Sequence, residues 1–308
     1  MAGGGKGGGM MALRRTDRGR QSGARHDGGM PAGDKGLRNI RKPAWFAARR
    51  VAALVSPVFV TPVLVALLAV GCTAPPTAAP LHEKVLLSDI TGFSGVAPGA
   101  PLPGGWQIWT LARFKKPTNY DLITKDGATV VEARADASAS GLLHPLANLD
   151  VKKYRDLSWR WKIEDLIKNQ DNTKSATEDS PVRLVVRFDG DRSKLDMLER
   201  IFSAQVKAVT GQELPYATLM YIWGGKSPKE TVITSRFTER IKMIVAESGR
   251  DNIGIWQEQK RDVFEDFKRA YGEEPGPITG IGIMTDTDNT GESARAWYGD
   301  IRLIKRAP

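Results

Sequence analysis

Beyond residue 85 the sequence predicts a mainly β domain, a single antiparallel β-sandwich with two helices on its surface. Three observations lead there. Short apolar stretches alternate residue by residue, the period of a strand. Gly, Pro, Asn and Asp part them at intervals that suit antiparallel connections better than βαβ crossovers. Only two segments keep helical spacing, and no internal repeat or second boundary divides residues 86–305.

Taken in order, the first strand signal is GATVVEARA at 127–135. SWRWKIE at 158–164 then sets Trp159, Trp161 and Ile163 on one face and Arg160 and Lys162 on the other. VRLVVRF at 182–188 does the same, with Leu184, Val186 and Phe188 opposite Arg183, Val185 and Arg187. SKLDMLERIFSAQVKAV at 193–209 changes period, and Leu195, Leu198, Ile201, Phe202 and Val206 form a helical stripe. Strands return at 217–225 and 240–248. A second helix is predicted across 256–272, with Val263, Phe267, Ala270 and Tyr271 on one side and Gly272 closing it. Two last strands follow at 278–286 and 294–304.

The front of the chain is different material. Residues 1–36 are rich in Gly and Arg and hold too little apolar surface to offset the entropy of ordering, so they read as a disordered extension. Residues 37–72 read as an export signal: a basic flank, then Val51 to Gly71, 21 residues without a charge, then Cys72, the single cysteine. Ala69-Val70-Gly71-Cys72 resembles the lipobox of bacterial lipoproteins, with Ala69 where Leu is most usual. That resemblance implies a lipid on Cys72 and, with Thr73 following, the periplasmic face of the outer membrane. An uncleaved apolar helix over 51–71, anchored in the inner membrane, is the other reading. Residues 73–85, rich in Pro and Ala, suit a tether.

Charge excludes one partner class. The formal charge of +10 sits almost wholly in residues 1–71, with 12 Lys and Arg against 3 Asp; the rest holds 33 against 32 acidic residues. A domain that neutralised phosphates would carry a basic stripe, so no nucleic-acid role is expected.

Missing motifs narrow the chemistry further. There is no Gly-x-Ser-x-Gly elbow, no Walker phosphate loop, no Gly-x-Gly-x-x-Gly and no His-Glu-x-x-His. Past Cys72 the chain has only His82 and His144, too few for a three-histidine zinc site, and His144 between Leu and Pro reads as structural. Glycoside hydrolysis needs only two carboxylates, so a carboxylate-based glycan hydrolase stays open as an alternative to a non-catalytic role.

The stretch Asp286-Thr287-Asp288-Asn289 gathers hard oxygen donors, as calcium prefers. It fails as an EF-hand, because the twelfth position from Asp286 is Trp297 rather than Glu. A site of another type, built from Asp286, Asp288, Asn289 and Asp300, is the metal expectation, against a turn in which Asp and Asn bond their own backbone. Sugar rings stack on indoles, and Trp223, before Gly224-Gly225, and Trp297 are the candidates for stacking.

Four strings, LPYATLMYIWGG, RIKMIVAESG, WQEQKRDVFEDFKRAYGEEP and ITGIGIMTDTDNTGESARAWYGDI, resemble the bacterial family called domain of unknown function 3047, over about Phe93 to Leu303. Members are exported proteins of unestablished activity, so the resemblance implies no reaction. It implies that the Asp286–Thr290 turn, Tyr298-Gly299-Asp300, Trp256, Arg261, Asp262 and Asp266 belong to a family pattern. The last strand is also similar to those of galactose-binding-like jelly rolls. The expected function is therefore binding of a saccharide or envelope glycan, with a purely structural envelope lipoprotein as a further alternative.

Overall fold

A computed structural model describes residues 90–305. The extension, the signal with Cys72, the apolar run 51–71 and the tether lie outside the described residues. The described chain forms two stacked sheets, as the alternation predicts. Its strands are β1 (Gln107–Thr110), β2 (Asn119–Lys125), β3 (Ala128–Asp136), β4 (Ala139–Leu149), β5 (Tyr154–Ile163), β6 (Ser180–Phe188), β7 (Ala217–Gly224), β8 (Val232–Thr234), β9 (Ile241–Ser248), β10 (Gln257–Asp262), β11 (Ile278–Asp286) and β12 (Ser293–Lys305). One sheet has the order β1-β4-β11-β6-β7-β9-β8 and the other β10-β5-β12-β3-β2. Among the described residues, no helix is long and apolar enough to cross a membrane.

The sandwich core follows from period-two alternation. Trp159, Trp161 and Ile163 of β5 face Leu184, Val186 and Phe188 of β6 and Leu219, Tyr221 and Trp223 of β7 in one buried cluster. Trp159 meets Trp161 edge-on at 5.2 Å and Tyr221 at 5.0 Å, geometries that aromatic pairs favour. His144 is buried as well, where desolvation holds its imidazole below the usual range; its ring accepts from the Thr91 N–H at 3.3 Å. It packs edge-on against Trp106 at 5.3 Å.

Every pairing is antiparallel except β7 with β9, which is parallel. The short β8 causes this: it takes the sheet edge and sends β9 back beside β7 in the same direction.

Two expectations change. Trp223 is 0% exposed, so it is no stacking platform. It stands three residues into the inward-facing series of β7, and its indole Nε1–H donates to the Gly249 carbonyl at 3.0 Å. The glycines after it serve contact instead: a Cβ on Gly225 would lie 2.7 Å from the Gln170 carbonyl oxygen. Residues 256–272 are not one helix. Gln257–Asp262 pair with β5, and only Val263–Tyr271 are helical (α2). The sequence Gln-Glu-Gln-Lys-Arg-Asp carries no apolar period, so pairing alone makes it a strand. Strands β1, β2, β4, β8 and β10 carried no signal of their own in the sequence reading.

The two helices differ in seating. In α2, Asp262 caps the N-terminus and Gly272, at φ 72°, closes the C-terminus, while Val263, Phe264 and Phe267 are buried. Arg261 fixes its position, gripping Asp266 with two bonds of 2.8 Å and Glu230 at 2.6 and 3.0 Å. The other helix, α1 (Met197–Thr210), has a capping box between Asp196 and Glu199 and a left-handed Gly211 cap, but no buried residue.

Candidate functional site

With Trp223 in the core, the structure divides the other expected site residues among three places. Asp286 ends β11, where its neighbour across the sheet is the start of β6. Arg183 Nε and Nη2 donate to its two carboxylate oxygens at 2.8 and 2.9 Å, and the Ser180 N–H adds a bond of 3.1 Å. Asp288 pairs with Lys115. Asp179, missed in the sequence reading, is buried and accepts from the Asn289 N–H at 3.3 Å, its Nδ2 at 3.0 Å, the Thr290 N–H at 2.8 Å and its hydroxyl at 2.6 Å. The turn is therefore clamped from outside by Asp179, not by Asp and Asn bonding their own backbone as expected.

Asp179, Asp286 and Asp288 bring three carboxylate oxygens within 4.8 Å of one another, a separation that a hard cation uses. The donor set does not fit calcium. Arg183 occupies both oxygens of Asp286, Lys115 holds Asp288, and four N–H and O–H donors fill Asp179. Two fixed cations already offset two of the three carboxylates. Calcium at millimolar concentration, or a chelator, is expected to leave the melting temperature unchanged; a rise of several degrees with calcium would show that the ion displaces Lys115.

Asp300 is not part of this cluster. β12 shifts register between Tyr298 and Ile301, and this irregularity turns Asp300 toward the segment before β1. There it accepts from the Phe93 N–H at 2.7 Å, the Ser94 N–H at 2.9 Å and the Ser94 hydroxyl at 2.6 Å. Burial would raise its carboxyl, but those donors hold it below the usual range.

Trp297 belongs to the outward face of the five-stranded sheet. Asp121, Glu132, Trp297 and Lys162 line up across β2, β3, β12 and β5, while Leu122, Val131, Tyr298 and Trp161 point into the core. Trp297 is 4% exposed because the Lys125 ammonium sits over its ring, 3.9 Å from the centroid. Its Nε1–H donates to Glu132 at 3.1 Å. Glu132 also takes bonds from Arg134 at 2.6 Å and Arg295 at 2.8 Å. Burial alone would raise the Glu132 carboxyl; the bonds from Arg295 and Trp297 outweigh it and hold the group ionised.

Beside this row lies a second indole. Trp256, half-buried, donates to Asp126 at 2.8 Å, and the Arg160 guanidinium covers it at 4.8 Å. Gly299 makes room, since a Cβ there would fall 2.5 Å from Arg160 Cγ. The face thus carries one half-buried indole, Trp256, and one closed off under Lys125, Trp297, among paired donors and acceptors. Trp256 stood in the family-like strings and Arg160 on the predicted outer face of its strand; that Lys125 and Glu132 meet Trp297 gave no signal, because cross-strand neighbours follow from register.

An open groove of about 470 Å³ lies at the end of the sandwich, lined by Asp165, Lys168, Asn169, Gly225, Lys226 and Arg250. Its one carboxylate, Asp165, pairs with Arg250 at 2.8 Å, so the groove has no facing carboxylate pair.

Comparison with known proteins gives a family match and distant structural likenesses. The family described as protein of unknown function (DUF3047) matches residues 104–302. No curated protein sequence matches. Among solved structures, the chain is similar to a family 11 carbohydrate-binding module of a cellulosomal cellulase of Clostridium thermocellum, at 11% identity and TM-score 0.34, covering 68% of this chain and 92% of that one. It is also similar to a family 30 module from the same organism, at 12% identity and TM-score 0.31, covering 73% and 97%. A family 29 module of Piromyces equi matches at 11% identity and TM-score 0.27, covering 70% and 91%. At such identities function does not travel with fold.

Proposed function

The chain belongs to the family of proteins of unknown function DUF3047, and from that premise we propose that its domain binds a saccharide at the cell envelope without transforming it. The observation that carries this reading is the outward face of the five-stranded sheet, where Trp297 and Trp256 each lie under a cationic side chain within a lattice of carboxylates and guanidinia. A pyranose ring presents an apolar C–H face and a rim of hydroxyls. Its face stacks where Lys125 or Arg160 now lies, and its rim exchanges hydrogen bonds with Asp121, Asp126, Glu132 and Lys162. A lipid on Cys72 holds the domain at the periplasmic face of the outer membrane in this reading.

A second reading, a carboxylate-based glycan hydrolase, draws on one group. Burial, with Asp286 and Asp179 adding to it, pushes the Glu178 carboxyl up to about 7 against the pull of Arg183 and Lys115. A carboxyl raised toward neutrality beside further carboxyl groups is the setting in which a general acid is found.

A glycan array with released sugars measured alongside separates the two. Expected is retention of a saccharide with no turnover, weakened about tenfold or more by Trp256→Ala at an unchanged melting temperature. Silence across the array sinks the binding reading, and sugar release lost in Glu178→Gln replaces it with the hydrolase.

A further inference from the structure

We infer that α1 lies in the interfacial layer of the bilayer to which the chain is tethered, with Met197, Leu198 and Ile201 as its inserted face. The inference rests on the membrane-anchored reading above, by lipid or by apolar helix.

A surface helix ordinarily turns its apolar stripe inward. In α1 the reverse holds: Met197 is 78% exposed, Leu198 75% and Ile201 47%. At about 100° per residue, Met197, Leu198, Ile201, Ala204, Gln205, Ala208 and Val209 share an arc of roughly 140°. All seven are exposed, and none is charged. Phe202, Val206 and Thr210 turn toward the body of the domain, half-buried. Arg200 and Lys207 border the outward arc on one flank, where their long stems can follow the stripe and their charges reach headgroups.

Caps, rather than burial, keep this helix formed. Asp196 and Glu199 close one end and Gly211 the other. Arg200 ties the helix start to the preceding turn through the Leu195 carbonyl at 2.8 Å and the Ser193 carbonyl at 2.8 Å. Met197 and Leu198 bury little surface here, and their exposure to water is unfavourable.

The chain itself supplies the surface that would cover them. Only 18 residues separate Gly71, the end of the uncharged run, from Ile90. Fully extended they reach about 60 Å, beyond the roughly 45 Å diameter of a domain this size, so α1 can meet the bilayer. The segment from Asp191 to Glu213 holds four basic and four acidic residues, so apolar contact rather than net charge drives the attachment. Such a stripe binds weakly, comparable at most to one acyl chain at about 10⁴ M⁻¹, yet a short tether gives an effective concentration in the millimolar range. Together these keep the helix on the membrane most of the time, whereas the same helix on an untethered domain would leave it.

The test places a photoreactive diazirine analogue of leucine at position 198, 201 or 176 of the full chain, isolated from membranes and reconstituted into phosphatidylethanolamine–phosphatidylglycerol vesicles. Position 176 is an exposed alanine in the β5–β6 connection. Lipid adducts are expected at 198 and 201 at five or more times the yield at 176. Vesicles that carry the chain but give equal yields at the three positions overturn the helix assignment and leave the anchor standing. Adducts at 198 to a second copy of the chain overturn it in favour of a protein contact. Failure of the chain to float with vesicles at all removes the anchored reading and this inference together.

Discussion

Replacing Arg183 by methionine lowers stability by about 3–5 kcal/mol, the loss expected when a buried ion pair is broken and Asp286, whose carboxyl burial already raises, must either stay charged without a partner or take up a proton. Both side chains are nearly closed to water, 5% exposed for Arg183 and 6% for Asp286, so solvent gives little relief. For a domain of this length each kcal/mol moves the melting temperature by roughly 2–4 °C, which makes the expected fall about 10 °C. The pair need not stabilise relative to an apolar one. Desolvating two charges offsets much of their attraction, and the damage comes from breaking one half. Arg183→Met combined with Asp286→Asn should therefore recover most of the loss, since Asn keeps an acceptor for the Ser180 N–H without the charge. A single variant that melts within 2 °C of the parent would mean that the carboxylate reaches water in solution.

Glu178→Gln has the opposite sign above neutrality. The Glu178 carboxyl rises to about 7 in the folded chain, chiefly by burial and further by Asp286 and Asp179, from 4.5 in the unfolded one. Between those values the folded protein holds a proton that the unfolded chain has released. Stability contributed by this group is complete below pH 4.5 and declines until about pH 7, then stays level. Partial exposure and solvent screening reduce the span to roughly 1–2 kcal/mol. Gln keeps the shape and never ionises, so the variant should exceed the parent by about that amount at pH 8 and match it near pH 4.5. Urea midpoints of both proteins at the two pH values measure this difference. Parallel behaviour would show that Glu178 ionises freely in the fold, and it would also remove the chemical basis of the hydrolase reading.

Local pattern determined much of the architecture. Trp159, Trp161 and Ile163 alternate with basic residues, and that alternation is enough to place them in a sandwich core. Gly272 marks a helix end because caps are made within one turn of chain. Composition likewise separated the basic front of the chain from a nearly neutral domain. Tertiary structure decided what each polar or aromatic side chain meets. Trp223 looked open beside two glycines and is sealed between sheets, because the face a strand turns inward depends on its neighbours. Asp286 and Asp288, two residues apart, are paired with Arg183 and Lys115, 103 and 173 positions away. Asp300, expected beside them, is turned aside by a register shift in β12. Helical spacing and caps are properties of neighbours along the chain, whereas pairing across a sandwich is set by strand order and register, which only the closed fold defines.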